Sequence, residues 1–261
     1  EFDSMPSNVI ATGMVDFVLE PELMPRAIDN YIMQDRELVV GEEDDEKTTA
    51  VIIEYIKKKL PLDFSNYKLT TLLRRTTRRA SNGNFATLGQ YYEFLKANPE
   101  ELVALAKDFL ISVTSFFRDP EAFEFIQKEV LPDILARLTP GEDLKMWVAG
   151  CATGEEVYSI AILIAEQLTG NYQDTPVKIF ATDLDSAALL HAGKGVYHES
   201  AVKNVAPERL EKFFLKENDH YRVSPFIRNM VIFAQHDLVK NPPYCNMHFI
   251  SCRNLLIYMT P

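Results

Sequence analysis

The sequence is poor in cysteine: Cys151, Cys245 and Cys252 are its three among 261 residues, an odd count without metal-ligand spacing. That excludes a disulfide-stapled fold and fits a reducing cytosol. The five histidines show no ligand spacing either, so no metal is expected. No apolar run approaches the roughly 18–20 residues that span a bilayer. No basic-then-apolar leader opens the chain. The expectation is a cytoplasmic protein without direct membrane insertion. No low-complexity tract occurs beyond one acidic run, which excludes a collagen-like or disordered chain. What is present is an ordinary globular composition, 47 % hydrophobic and 25 % charged. At roughly 100–200 residues per domain, the length suggests one or two domains and part of a third.

The formal net charge of −11 is unevenly spread. Residues 1–46 carry 2 basic and 13 acidic groups, residues 47–120 carry 12 and 7, and residues 121–261 carry 13 and 18. Such blocks point to separate units with different partners. An acidic total argues against sequence-independent nucleic-acid binding, so no nucleic acid is expected. The basic middle block suits an acidic protein instead.

Residues 1–36 hold short apolar pieces such as Val15-Asp16-Phe17-Val18-Leu19 and a predicted helix around 24–33. Glu42-Glu43-Asp44-Asp45-Glu46 reads as a solvated linker, because like charges in a row repel. Residues 47–120 read as helical. Val51, Ile52, Tyr55 and Ile56 predict a helix over 49–60. A second spans 64–79 with Ser65 as N-cap, and Ser81-Asn82-Gly83-Asn84 stops it. Two more cover 88–96 and 99–110. Beyond residue 144 the pattern changes. Apolar strands are predicted at 145–149, 177–182, 230–234 and 247–252, with helices from about 155 to 168 and from about 186. Strands alternating with helices imply a parallel sheet covered on both faces.

In doubly wound sheets ligands bind outside the carboxyl ends of the strands. A glycine loop, Gly150 to Gly154, comes after the first strand, Asp183 after the second and Asp237 after the third, and the fourth ends in Arg253-Asn254. A glycine turn lets a ligand approach the backbone, and a strand-end carboxylate accepts from ribose hydroxyls. Taken alone, G-x-x-x-G reads first as a tight strand-to-helix turn, and the strand-end Asp183 brings a nucleotide loop level with that reading. It is neither the dinucleotide fingerprint nor a P-loop, whose Lys it lacks. A nucleoside without a pyrophosphate suits it better, and S-adenosylmethionine is the common one.

Four motifs stand in order: Thr114-Ser115-Phe116-Phe117-Arg118-Asp119-Pro120; Trp147-Val148-Ala149-Gly150-Cys151-Ala152-Thr153-Gly154-Glu155-Glu156-Val157-Tyr158-Ser159; Ala181-Thr182-Asp183-Leu184-Asp185; and Cys252-Arg253-Asn254-Leu255-Leu256-Ile257-Tyr258. Together they closely resemble the CheR-type chemotaxis receptor methyltransferases, over about residues 47–261. The resemblance implies an α/β class I S-adenosylmethionine-dependent methyltransferase, a Rossmann-like doubly wound sheet with a small all-α N-terminal domain. It also implies O-methylation of glutamate side chains on the cytoplasmic helical domain of chemoreceptors, with S-adenosylhomocysteine as product. A second stretch, Met5-Pro6 … Ile10-Ala11-Thr12-Gly13-Met14-Val15-Asp16 … Leu23-Met24-Pro25, resembles the C-terminal end of a CheB-type methylesterase domain. The esterase Ser, His and Asp motifs do not occur, so no esterase activity is expected. The organisation implied is a methylesterase remnant over 1–36, an acidic linker over 37–48, an all-α domain over 49–120 and the cofactor-binding domain over 121–261. The chain is expected to be cut at both ends from a fusion.

The same resemblance assigns roles. Arg118 and Tyr258 match positions close to the transferring methyl, Arg118 pairing with the incoming carboxylate and Tyr258 orienting it. Ser112, Thr114, Arg118, Gly150, Gly154, Glu156, Asp183, Asp237, Leu238, Arg253 and Asn254 match cofactor-binding positions. Relatives carry Asn at positions 112 and 237. Of Phe116 and Phe117, apolar walls or core, one is read as core, and Glu155 is read as a first-turn helix acid. On the basic helix, Lys68, Arg75 and Arg79 share one face at 100° per residue, flanked by Arg74 and Arg78. The ordinary reading is a solvated amphipathic face. The alternative is recognition of a glutamate-rich helical substrate, which a basic helix would steer.

Two competing readings remain. Asn241-Pro242-Pro243-Tyr244 spells the motif of amino-methylating DNA methyltransferases, but it precedes the fourth strand instead of coming after it, and reads as a loop. A cofactor-binding sensor or adaptor without turnover is the other, and the presence of Arg118 and Tyr258 argues against it. The region 213–228 looks compact, with a hairpin at 221–226, so docking of a receptor tail there is doubtful.

Overall fold

A computed structural model describes residues 21–22, 24–25, 42–110, 114–139 and 141–260. The rest of the methylesterase-like stretch and Ser112 lie outside the described residues. The described chain forms two compact units. One comprises residues 42–110 together with 255–260, and the other residues 114–254.

In the helical unit, α1 runs Glu42–Lys59, α2 Leu69–Asn82, α3 Leu88–Ala97 and α4 Pro99–Phe109. The acidic run is therefore not a linker but the first turn of α1. Asp44, Asp45 and Glu46 lie near the positive end of the helix dipole, and Lys57, Lys58 and Lys59 occupy the negative end. The second helix begins at Leu69, later than its apolar pattern suggests. Ser65 is not its cap: the Asp63 carboxylate accepts from both the Ser65 amide (3.0 Å) and hydroxyl (2.6 Å), closing a turn ahead of the helix. Ile52, Ile56, Phe64, Leu72, Tyr91, Leu95, Leu105 and Phe109 form a fully buried core. Phe64 and Phe109 meet edge to face, 5.1 Å between centroids.

The second unit opens with α5 Pro120–Phe125, a π-helical turn Ile126–Val130 and α6 Leu131–Arg137. Then come β1 Leu144–Ala149, α7 Glu155–Gln167, β2 Val177–Asp183, α8 Ser186–Lys194, β3 Val196–His198, α9 Pro207–Phe213, β4 Phe214–Glu217, β5 His220–Val223, α10 Pro225–Arg228, β6 Val231–Gln235 and β7 Phe249–Ser251. The main sheet has order β6-β2-β1-β7, and every pairing in it is parallel. The chain steps outward from β1 to β2 to β6, then crosses back to the other side of β1. That reversal opens a crevice between the carboxyl ends of β1 and β7.

Alternation sorts the sheet into faces. Leu144, Met146 and Val148 lie in the large core with Ile179, Ala181 and Val231, under an α7 whose Ile160, Ile162, Leu163 and Ile164 are at most 1 % exposed. The opposite face carries a registered row, Ile250, Trp147, Phe180 and Ile232. The hairpin expected at 221–226 is instead β4 with β5, and β3 adds to β5 to make a three-stranded antiparallel sheet. Residues 114–120 group with the sheet unit and not with the helices. Phe116 is fully buried in its core, and the Phe117 amide donates to Ser159 Oγ on α7 (3.0 Å).

Charge closes the helical unit. Arg79 bonds Glu101 (Nε to Oε1, 2.6 Å) and Asp108 (Nη1 to Oδ2, 2.7 Å), and Tyr91 Oη donates to Glu101 (2.8 Å). The Arg79 guanidinium holds the Glu101 carboxyl below its ordinary value of 4.5. A depressed carboxylate contributes stability that is present above pH 4.5 and lost as pH falls through the folded value. We expect Glu101→Gln to lower stability at pH 7 by about 1–2 kcal/mol. The variant should also show a shallower loss below pH 4.5 in denaturant titrations across pH; an unchanged acid slope would refute the assignment.

Candidate active site

The crevice at the strand reversal is lined by the segments that leave the carboxyl end of each strand. After β1 the backbone turns through residues 150–154, with φ of 70° at Gly150, 45° at Ala152 and 96° at Gly154. The Gly150 and Cys151 amides both donate to Thr182 O (2.8 and 2.9 Å), and the Gly154 amide donates to Cys151 O (2.9 Å). Gly154 is obligatory on two counts. Its φ lies in the left-handed region, and a Cβ there would stand 2.8 Å from Ala192 Cβ and 3.0 Å from Tyr197 Oη.

Asp183 closes β2 and grips this loop. Its Oδ2 accepts from the Ala152 amide (2.8 Å) and its Oδ1 from the Asp185 amide (2.9 Å). Burial pushes its carboxyl above the ordinary range, while these backbone donors oppose the shift. The Leu184 amide also bonds this carboxylate, so of its roughly four acceptor positions about one remains for a further donor. A ribose hydroxyl is such a donor, and the residues present fit a nucleoside-bearing cofactor. Glu155 is the other buried carboxylate of the loop. It accepts from Thr153 Oγ1 (2.7 Å), its carbonyl accepts from Ser159 Oγ (2.7 Å), and burial raises it too.

Across the crevice Glu156 and Arg253 meet. Ser251 Oγ, at the end of β7, donates to Glu156 Oε1 (2.5 Å), and Arg253 Nη1 donates to Oε2 (3.3 Å). Arg253 Nη2 also reaches Asp119 Oδ2 (2.7 Å) and the Arg118 carbonyl (3.0 Å), and its guanidinium lies 5.1 Å from the Phe123 ring centroid. One side chain thus joins β7, α7 and the segment carrying Arg118. That segment is bent sharply: Phe117 (φ 50°) and Asp119 (φ 61°) flank Arg118 in the left-handed region, where non-glycine residues are uncommon. Asn254 adopts the same conformation (φ 57°), which its short polar side chain tolerates. Thr114 is half-buried at the start of the segment. Phe116 and Phe117, 0 % and 6 % exposed, are both core.

Asp237 Oδ1 accepts from the Val239 and Lys240 amides (2.9 and 3.3 Å), and the Asp237 amide donates to Asn241 Oδ1 (2.7 Å). The aspartate is thus engaged in capping its own turn, with Leu238 half-buried beside it. Sequence reasoning missed its neighbour. The His236 amide continues the sheet ladder to Asp183 O (3.0 Å), and its ring lies 5.4 Å from both Trp147 and Tyr244. Tyr244 of the Asn-Pro-Pro-Tyr loop stacks on Phe180 (5.0 Å) ahead of β7. Strand alternation puts Trp147 and Phe180 on one face, a signal that was available.

Tyr258 belongs to the helical unit. Its carbonyl accepts from the Lys68 amide (2.8 Å), Met259 bridges Tyr67, and the Thr260 amide donates to Asn66 O (2.8 Å). The five basic residues separate. Lys68, Arg74 and Arg78 are exposed. Arg75 donates to Asp108 O (2.6 Å), and Arg79 is held by the Glu101 and Asp108 carboxylates. Burial and the neighbouring Arg78 and Arg74 charges lower Arg75. The shared face of Lys68, Arg75 and Arg79 therefore does not act as one exposed patch. Among the described residues no cluster of metal-binding side chains occurs, and no helix is long and apolar enough to cross a membrane.

Comparison with known proteins places these features in a family. Residues 112–261 match the CheR methyltransferase, SAM binding domain, and residues 49–110 its all-alpha domain. A chemotaxis protein methyltransferase of Listeria monocytogenes is 31 % identical over 83 % of the chain and 80 % of that protein. That of Escherichia coli is 28 % identical over 79 % and 72 %. An uncharacterized 104.1 kDa protein of Rhodobacter capsulatus is 33 % identical over the whole chain, which spans 30 % of that protein's length. With both domains matched in order, and the loop, strand-end carboxylate and Arg118 segment gathered at one crevice, the chain belongs to the CheR methyltransferase family.

Proposed function

We propose that this chain transfers a methyl group from S-adenosylmethionine to glutamate side chains of chemoreceptors, in the cytoplasm, leaving S-adenosylhomocysteine. The observation that carries the reading is the strand reversal at β1 and β7, which gathers the glycine loop, Asp183, Glu156 and Arg253 at one crevice in a chain of this family. The cofactor, when bound, supplies an electrophilic methyl on a sulfonium. Asp183 is the ribose acceptor, residues 150–154 present backbone to the methionine and ribose, Glu156 and Arg253 close that side, and Asp237 and Leu238 lie toward the base. Thr114, Asn254 and Ser112 complete the set. The resemblance of residues 1–36 to a methylesterase C-terminus favours a fusion in which an esterase precedes the transferase.

A glutamate carboxylate is already ionised at pH 7, so no general base is needed. The residues must position it, strip its water and balance its charge. Arg118 pairs with the carboxylate, from a segment whose backbone is sharply bent on either side of it. Tyr258 has the role of orienting a substrate carboxylate through its hydroxyl. Lys68, Arg74 and Arg78 steer the acidic helical substrate, while Arg75 and Arg79 also hold α2 on α4.

With radiolabelled S-adenosylmethionine at saturation and a receptor cytoplasmic fragment, Arg118→Ala should lower kcat by about 100-fold and Tyr258→Phe by about tenfold. Full turnover in both would end this reading, and cofactor binding without transfer by the native chain would favour a sensor. Asp183→Asn should weaken cofactor binding by at least about tenfold in calorimetry, because it replaces two charged acceptors by one neutral one. Reversing Arg74 and Arg78 to Glu should raise KM for the receptor several-fold at low salt, with the difference fading as salt rises and cofactor affinity constant. A KM equal to that of the native chain at low salt would remove the steering role.

A further inference from the structure

The loop at residues 150–154 is held in an expensive shape. Three of its five residues have positive φ, and Ala152 is one of them. An L-residue adopts that conformation at a steric cost, and such backbone persists only where the surroundings over-determine it. Thr182 O and Asp183 take the amides of Gly150, Cys151 and Ala152, and Cys151 O takes that of Gly154. All of these restraints act on N–H groups, and all come from β2 or the loop itself.

The Thr153 carbonyl is held from a different direction. Tyr197, on β3 of the antiparallel sheet, donates its hydroxyl to it at 2.6 Å. Tyr197 is 2 % exposed. Its ring meets Phe116 (4.9 Å), His191 (5.4 Å) and Tyr158 (6.1 Å) edge to face, so its two side-chain torsions are fixed. Burial pushes its phenol far above the ordinary value, which keeps the hydroxyl a donor. The close approach of this hydroxyl is one reason that residue 154 has no Cβ.

We propose that Tyr197 is a positioning residue for the glycine loop: it fixes the Thr153 carbonyl from the antiparallel sheet, and with it the backbone shape that receives the methyl donor. The inference rests on the proposed binding of S-adenosylmethionine at this loop. It gives the small sheet, through its edge strand β3, a task inside the site.

Tyr158 provides the control. It is fully buried, and its hydroxyl donates to Ala192 O at 2.7 Å, a bond of the same kind that does not end on the loop. In the full chain, Tyr197→Phe should weaken S-adenosylmethionine binding about tenfold by calorimetry. Hydrogen exchange at the Ala152 and Gly154 amides of the ligand-free chain should speed up by a similar factor. Turnover at saturating cofactor should stay within about twofold of the native value. Tyr158→Phe should lose comparable thermal stability while its cofactor affinity and loop exchange stay within about twofold. Native affinity and native exchange in Tyr197→Phe would overturn the inference, as would equal weakening by Tyr158→Phe. A native chain that bound no S-adenosylmethionine would overturn the proposed role of the loop and this inference with it. Native binding with an unaffected Tyr197→Phe would overturn this inference alone.

Discussion

The bond from the Ala152 amide to the Asp183 carboxylate ties the end of one strand to the turn after its neighbour, and the geometry of the crevice depends on it. Parallel strands β1 and β2 emit their connections on the same edge, so without a link their loops would be independent. Asp183 supplies a side-chain link beside the two main-chain bonds to Thr182 O. The amides it holds offset the cost of burying the carboxylate. Structure and chemistry thus draw on the same two oxygens, and a substitution there changes both.

The helical unit shows a comparable double use of charge. An amphipathic helix rich in arginine would be expected to solvate all of them. Here the two that face the neighbouring helix are drawn into Glu101 and Asp108, and the others stay outside. The ion pairs are half-buried and share partners with Tyr91, which makes the cluster worth more than isolated surface pairs. The same segment that positions these arginines receives Tyr258 through main-chain bonds. The exposed arginines and the tyrosine therefore belong to one compact body.

Much of this was legible in the residues, and the exceptions have physical causes. Strand and helix order, the glycine loop and Asp183 come from periodicity and from where parallel sheets bind ligands. The acidic run misled because the sequence shows repulsion but not the helix end that compensates it. Ser65 looked like a cap because the Asp63 turn that uses it is a local competition invisible to pattern. Arg75 and Arg79 were placed on a solvated face because Asp108 and Glu101 lie 22 or more residues away in sequence. The antiparallel sheet was underestimated for its size: strands of three and four residues carry little alternation.

One buried ring gives the molecule a property of a different sort. The chain has a single tryptophan, and Trp147 is 4 % exposed, with its indole N–H bonded to Thr182 Oγ1 at 2.9 Å. Thr182 is also the residue whose carbonyl receives the loop amides, and His236 and Tyr244 stand against the indole. Tryptophan emission from this protein therefore arises from one place, linked to the crevice through a single residue. The fold has in effect installed its own optical reporter there, readable without a label and silent about the helical unit.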